Sequence, residues 1–110
     1  MRKIKVIIKQ PGKEPYTAWI SDSLENLQRT VDGYIETVTL ATDCVLIVNE
    51  EGRLLGLPYN CNICGLDIFG TVIVAGVDGD EFADCLDGAK ELIFGQKEKA
   101  APTAIESDQL

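Results

Sequence analysis

The sequence predicts a single α+β domain: a mostly antiparallel sheet of about five or six strands with two helices. Three observations carry this. Cys44 to Val48 (CVLIV) and Thr71 to Val77 (TVIVAGV) are continuous apolar runs, as expected of strands buried on both faces. Leu24, Leu27 and Val31, and later Phe82, Leu86, Ala89 and Ile93, recur at helical spacing. The length of 110 residues, with 45% hydrophobic and 25% charged side chains, supports one core without disulfide or metal staples. The domain is expected to span residues 1–95. Residues 96–110 lack periodicity and are expected to form a disordered tail.

Lys3 to Lys9 (KIKVIIK) is β-branched and predicts the first strand. Pro11-Gly12 and Pro15 mark a loop, and Tyr16 to Ile20 (YTAWI) predicts a hairpin partner. Asp22, with Glu25 three residues on, has the pattern of a capping box for the first helix, which Gly33 ends. Tyr34 to Leu40 (YIETVTL) alternates strictly, with Tyr34, Glu36, Val38 and Leu40 on one face. The carboxylate of Glu36 among apolar neighbours belongs at a sheet rim or in a pocket wall. After the buried strand, Asn49-Glu-Glu-Gly52 predicts a hairpin turn with left-handed Gly52, and Arg53 to Leu55 a short return strand. Gly56-Leu57-Pro58 breaks that strand. Tyr59 to Gly70 has no clear period and is expected to form a long connection, rich in amide and aromatic side chains. From Asp80 a second helix is expected to run to Gly95.

Several chemistries are excluded or disfavoured. The chain has no histidine, which removes the commonest general base, His-dependent triads and His-bearing metal sites. Neither a P-loop nor a G-x-G-x-x-G is present. Cys61-Asn-Ile-Cys64 has C-x-x-C spacing, but zinc would need Cys44 and Cys85, which fall at isolated, core-facing positions. Four reduced thiols are expected, with no metal, no cofactor and no catalytic residue, so the protein is not expected to be an enzyme.

The net charge is −8, although Arg2, Lys3, Lys5, Lys9 and Lys13 face only Glu14 within the first 20 residues. The remaining body is strongly acidic, and such a surface repels nucleic acid and anionic membranes. No apolar run approaches the roughly 20 residues of a membrane helix. Val6-Ile7-Ile8 is too short for the core of a signal peptide, so a cytoplasmic location is expected.

Gly33-Tyr-Ile-Glu36, then Asn49-Glu-Glu-Gly-x-Leu-x-Gly-Leu-Pro-x-Asn60, then Asp67-x-x-Gly-Thr-Val72 form a pattern. By it the chain resembles an uncharacterised small-domain family of phages, prophages and mobile elements of Firmicutes, over about Lys3 to Val77. The Cys61/Cys64 pair departs from that pattern. The resemblance implies a non-enzymatic protein that acts by binding in the bacterial host cytoplasm. By analogy with other small phage proteins, it implies a homo-oligomer that sequesters a nucleotide-derived immune signal, of cyclic-nucleotide or ADP-ribose type. The expected ligand-binding residues are Tyr34, Glu36, Asn49, Arg53, Tyr59, Asn60 and Asn62. Tyrosines would stack on a base, amides read its edge, Arg53 meet phosphate and Glu36 accept from ribose hydroxyls. The alternative is an acidic protein-interaction module, or DNA mimic, that inhibits a host defence factor.

Overall fold

The structure is a computed structural model and describes residues 2–95. β1 (Lys3–Lys9) pairs antiparallel with β2 (Tyr16–Ser21), and α1 (Leu24–Val31) follows. β3 (Ile35–Ala41) and β4 (Cys44–Asn49) form a second hairpin. β7 (Val72–Asp78) joins the two hairpins, with β1 on one side and β4 on the other. The sheet order is β2-β1-β7-β4-β3, and β8 (Glu81–Ala83) extends the β1 side of β7. Every pairing is antiparallel. The expected class, a mostly antiparallel α+β sheet with two helices, is the one observed.

The two apolar runs occupy the centre for the reason their composition implies. Leu46, Ile47, Val72, Ile73, Val74 and Ala75 are fully buried, so both faces of β4 and β7 need cover. On one face, Leu27 and Val31 of α1 pack with Ile4, Val6, Ile8, Val45, Ile47 and Ile73. On the other, Ile7, Leu46, Val48, Val72 and Val74 meet Ile63, Ile68 and Ala89. That second cover is built by a small hairpin of β5 (Tyr59–Ile63) and β6 (Leu66–Phe69), together with α2 (Ala89–Phe94). The domain is thus three-layered.

Four local expectations are corrected. Ser23, not Asp22, caps α1: its hydroxyl accepts from the Asn26 amide at 3.2 Å. Tyr34 lies before β3 and is well exposed, outside the strand. Arg53 to Leu55 is no return strand, because the chain after β4 winds through consecutive turns. The Leu55 amide bonds the Glu51 carbonyl at 2.8 Å and the Leu57 amide bonds that of Gly52 at 3.0 Å. Gly52 is absent from the left-handed region; it is needed for room, since a Cβ there would lie 2.5 Å from the Phe69 carbonyl oxygen.

The long connection at Tyr59 to Gly70 is instead the β5–β6 hairpin, closed by Cys64 at φ 52° and Gly65 at φ 87°. Two consecutive positive φ values at the turn centre are the mark of a type I′ turn, whose twist suits a tight hairpin. The expected helix from Asp80 is replaced by β8, a connection and the short α2. Its apolar positions serve opposite sides of the sheet: Phe82 packs on the α1 face, whereas Ala89 and Ile93 pack on the other. One helix cannot cover both, so the chain passes the sheet edge first. Asp84 accepts from the Lys5 amide at 2.9 Å, and the Cys85 amide bonds the Lys5 carbonyl at 2.8 Å. The stretch expected to form a tail, residues 96–110, lies outside the described residues.

Candidate functional site

The β5–β6 hairpin divides the expected binding residues between two depressions. The first is a cleft of about 160 Å³ between β6 and the adjoining ends of β3 and β4, with Glu36, Asn49, Glu50, Arg53, Asp67 and Phe69 in its walls. The second is an open basin of about 850 Å³ on the β5 side, walled by Lys9, Lys13, Glu14, Asn60, Asn62 and Phe94. Tyr34 and Tyr59 line neither of them.

At the cleft, Phe69 is the hub. The Arg53 guanidinium stands 4.4 Å above its ring, and Tyr59 meets it edge-on at 5.5 Å with the planes 74° apart. Asp67 ties the neighbours together: it accepts from the Tyr59 hydroxyl at 3.3 Å and from the Asn62 amide at 2.9 Å. Arg53 faces the same carboxylate at 3.9 Å. Desolvation, and then the charge and hydrogen bond of Asp67, push the Tyr59 phenol above its ordinary value. With Glu36, Glu50 and Asp67 around one arginine that is already engaged, an anion is electrostatically unwelcome here.

The three asparagines owe their places to the backbone. Asn49 is 6% exposed, and its Nδ2 donates to the Val31 and Asp32 carbonyls at 3.1 and 3.0 Å. Its Oδ1 accepts from the Glu51 amide at 2.7 Å, so the side chain locks the end of α1 to the end of β4. Asn60 donates to the Lys9 and Gly70 carbonyls, both at 2.8 Å, and accepts from Lys9 Nζ at 2.9 Å. Asn62 accepts from the Gly65 amide at 3.0 Å and so closes the hairpin turn. An amide committed in this way holds other groups in position but has little left to read a ligand edge.

In the basin, Asn60 and the Gln10 carbonyl fix Lys9 Nζ, while Lys13 stands exposed on the Gly12–Pro15 loop. Two cations, one carboxylate (Glu14), the rim amide Asn62 and the ring of Phe94 therefore face one open space. Lys9, Lys13, Asp67 and Phe69 were missing from the sequence-based set. The alternation of Asp67 and Phe69 with the buried Ile68 was the available signal for β6, and it is short.

Cys61 and Cys64 are both free, Cys61 half-buried on β5 and Cys64 exposed at the turn. Burial pushes the thiols of Cys44, Cys61 and Cys85 up, partly offset at Cys61 by Lys9 and at Cys85 by Lys5. Among the described residues no cluster of three or more His, Cys, Asp or Glu side chains is arranged for a metal ion. Alkylation of the native protein near pH 8 should modify Cys64 first, with the other three at least roughly tenfold slower. Mass mapping in which Cys61 keeps pace with Cys64 would contradict the packing described.

The domain is thus a three-layered α+β unit with an aromatic-carboxylate cleft on one side of the β5–β6 hairpin and a lysine-bearing basin on the other. The chain belongs to the family described as Domain of unknown function (DUF3846), whose model matches residues 4–96. No curated protein and no solved structure matches the chain. Among the described residues no helix is long and apolar enough to cross a membrane.

Proposed function

We propose that this is a non-enzymatic, phage-type binding protein of the bacterial cytoplasm, acting as a homo-oligomer that sequesters a nucleotide-derived immune signal of cyclic-nucleotide or ADP-ribose type. One observation supports the ligand class above the others: Lys9 and Lys13 converge on a basin of about 850 Å³. Small-molecule sites are typically about 300–1,000 Å³, which admits the basin and disfavours the cleft. The anionic groups of the ligand would meet Lys13 and Lys9, and Phe94 would offer a stacking face. Asn60 positions Lys9, and Arg53 stays with Asp67.

Calorimetry with a panel of cyclic nucleotides, cyclic dinucleotides and ADP-ribose derivatives tests this. Lys13→Ala should remove a charge-assisted contact worth about 1.5–3 kcal/mol, a roughly ten- to hundredfold loss of affinity. Arg53→Ala should leave affinity within about twofold. The reverse pattern would move the ligand to the cleft, and a panel without binding would end the nucleotide reading.

A second reading has its own observation. Leu54 is 85% exposed, with Leu55 beside it, on the turn that also carries Glu50 and Glu51. An apolar tip edged with carboxylates suits a basic protein partner, as an acidic interaction module or DNA mimic would need.

A further inference from the structure

The two outer strands of the sheet are protected very differently. β3 carries Glu36 and a bulge between Thr39 and Ala41, both of which discourage further pairing. β2, Tyr16-Thr-Ala-Trp-Ile-Ser21, has no charge, no proline and no glycine within it. Its Trp19 is 59% exposed, and this is the only tryptophan of the chain. Such a strand is a template for another strand unless something covers it.

The direction of its free backbone groups follows from the register. The Asp22 amide bonds the Arg2 carbonyl at 2.8 Å, so Arg2 and Asp22 are a hydrogen-bonded pair. Hydrogen-bonded pairs recur at every second residue of an antiparallel ladder. Ile4 with Ile20, Val6 with Ala18 and Ile8 with Tyr16 are then bonded pairs too. Thr17, Trp19 and Ser21 therefore turn their N–H and C=O groups away from β1, to the open side.

We propose that β2 pairs antiparallel with β2 of a second copy, across a two-fold axis perpendicular to the sheet at Trp19. This rests on the oligomeric reading above and specifies its interface. A two-fold axis of that kind keeps each side chain on its own face, so opposed residues must have the same parity. Centred on Trp19, it sets Trp19 against Trp19, Thr17 against Ser21 and Ser21 against Thr17. Each of these pairs exchanges two backbone bonds. Centred on Ala18 instead, it would bring Pro15, which has no N–H, opposite Ser21.

Charge favours a second copy at this edge over the β3 edge. The chain carries −8, and two copies approach most cheaply where no charge opposes its like. None of the residues that exchange these bonds is charged, and Asp22, which falls opposite Tyr16, is paired with Arg2. Of the flanking cations, Arg2 is paired with Asp22 and Glu81 and Lys5 with Asp87, while Lys3 stands opposite Ser21 one strand in from the interface. On the opposite edge the same symmetry would bring Glu36 of both copies to one interface.

The full chain should sediment as a dimer above about 10 µM and dissociate on dilution, and tryptophan emission should move to longer wavelength as Trp19 is exposed. Trp19→Lys places like charges face to face at the axis and should raise the dimer dissociation constant at least roughly tenfold. Thr17→Pro removes an outward N–H and should weaken the dimer similarly. Circular dichroism of the dilute variants should match that of the wild-type monomer, which separates lost pairing from lost folding. A wild-type chain that stays monomeric up to about 200 µM overturns both the dimer and the oligomeric reading, and leaves β2 to a foreign strand. An oligomer whose mass and emission ignore both substitutions overturns the β2 interface alone.

Discussion

Asn49→Asp should be the most damaging conservative change in this protein, at about 3–5 kcal/mol in urea unfolding. The side chain is buried, and its Nδ2 lies 3.1 Å and 3.0 Å from two carbonyl oxygens, those of Val31 and Asp32. A carboxylate oxygen at that position would face two acceptors, with no donor to replace the amide. Asn49→Ala should cost less, about 2–3 kcal/mol, because it leaves groups unpaired without adding a buried charge. Both effects are large beside a total stability of about 5–15 kcal/mol. Nearby Gly33 shows how closely the amide is fitted: a Cβ there would lie 2.5 Å from Asn49 Nδ2. If Asn49→Asp unfolds at the wild-type denaturant concentration, the amide is not holding α1 to β4.

Gly76→Ala should come second, at about 2–3 kcal/mol. The added Cβ would run into the Asp84 carbonyl oxygen, which is main chain and has little freedom to retreat. Asp84 and Cys85 are tied to the Lys5 backbone, so relief requires moving β8 from β7 or breaking those ties. Hydrogen exchange should report it locally: the Cys85 amide, now bonded to Lys5, should lose protection before the β4 amides do. A melting temperature within about 1 °C of wild type would mean that this strand crossing relaxes without cost.

The central strands were legible because burial on both faces leaves a plain mark, an unbroken apolar run, in Cys44–Val48 and Val72–Val77. Short elements gave no comparable mark. β5 and β6 bury only Ile63 and Ile68 in the main core, with Cys61 packed at its margin, and the Cys64-Gly65 turn is less familiar than Asn-Gly although it meets the same φ requirement. The false long helix arose because Phe82, Leu86, Ala89 and Ile93 fit a period of 3.6 by position, whereas Phe82 packs on one side of the sheet, Ala89 and Ile93 on the other, and Leu86 is exposed. Periodicity records spacing, not the side on which a residue packs.

The candidate site failed to show for a related reason. Asn49 and Asn60 look equally suited to a ligand edge or to a backbone carbonyl. The choice depends on segments far away in sequence, Val31 and Asp32 for one and Lys9 for the other. The amide-rich loop supplies walls to both depressions, Asp67 and Phe69 to the cleft and Asn60 and Asn62 to the basin. The cations of the basin gave no such signal, because Lys9 and Lys13 come from a segment far from that loop in sequence.

The position of β7 has a consequence for how the chain acquires its structure. It is the fifth strand in chain order of a six-stranded sheet whose other large strands all precede it, yet it stands between the β1–β2 and β3–β4 hairpins and is what joins them. Until Val72–Asp78 has left the ribosome, those hairpins have no common ladder, and the apolar edges of β1 and β4 have no mate. The two hairpins can form early from local contacts, but closure waits for a strand made late, across sequence separations that slow folding. The vulnerable interval in the life of this protein is therefore the time before Val72–Asp78 emerges, when two nearly complete halves wait for the strand that zips them together.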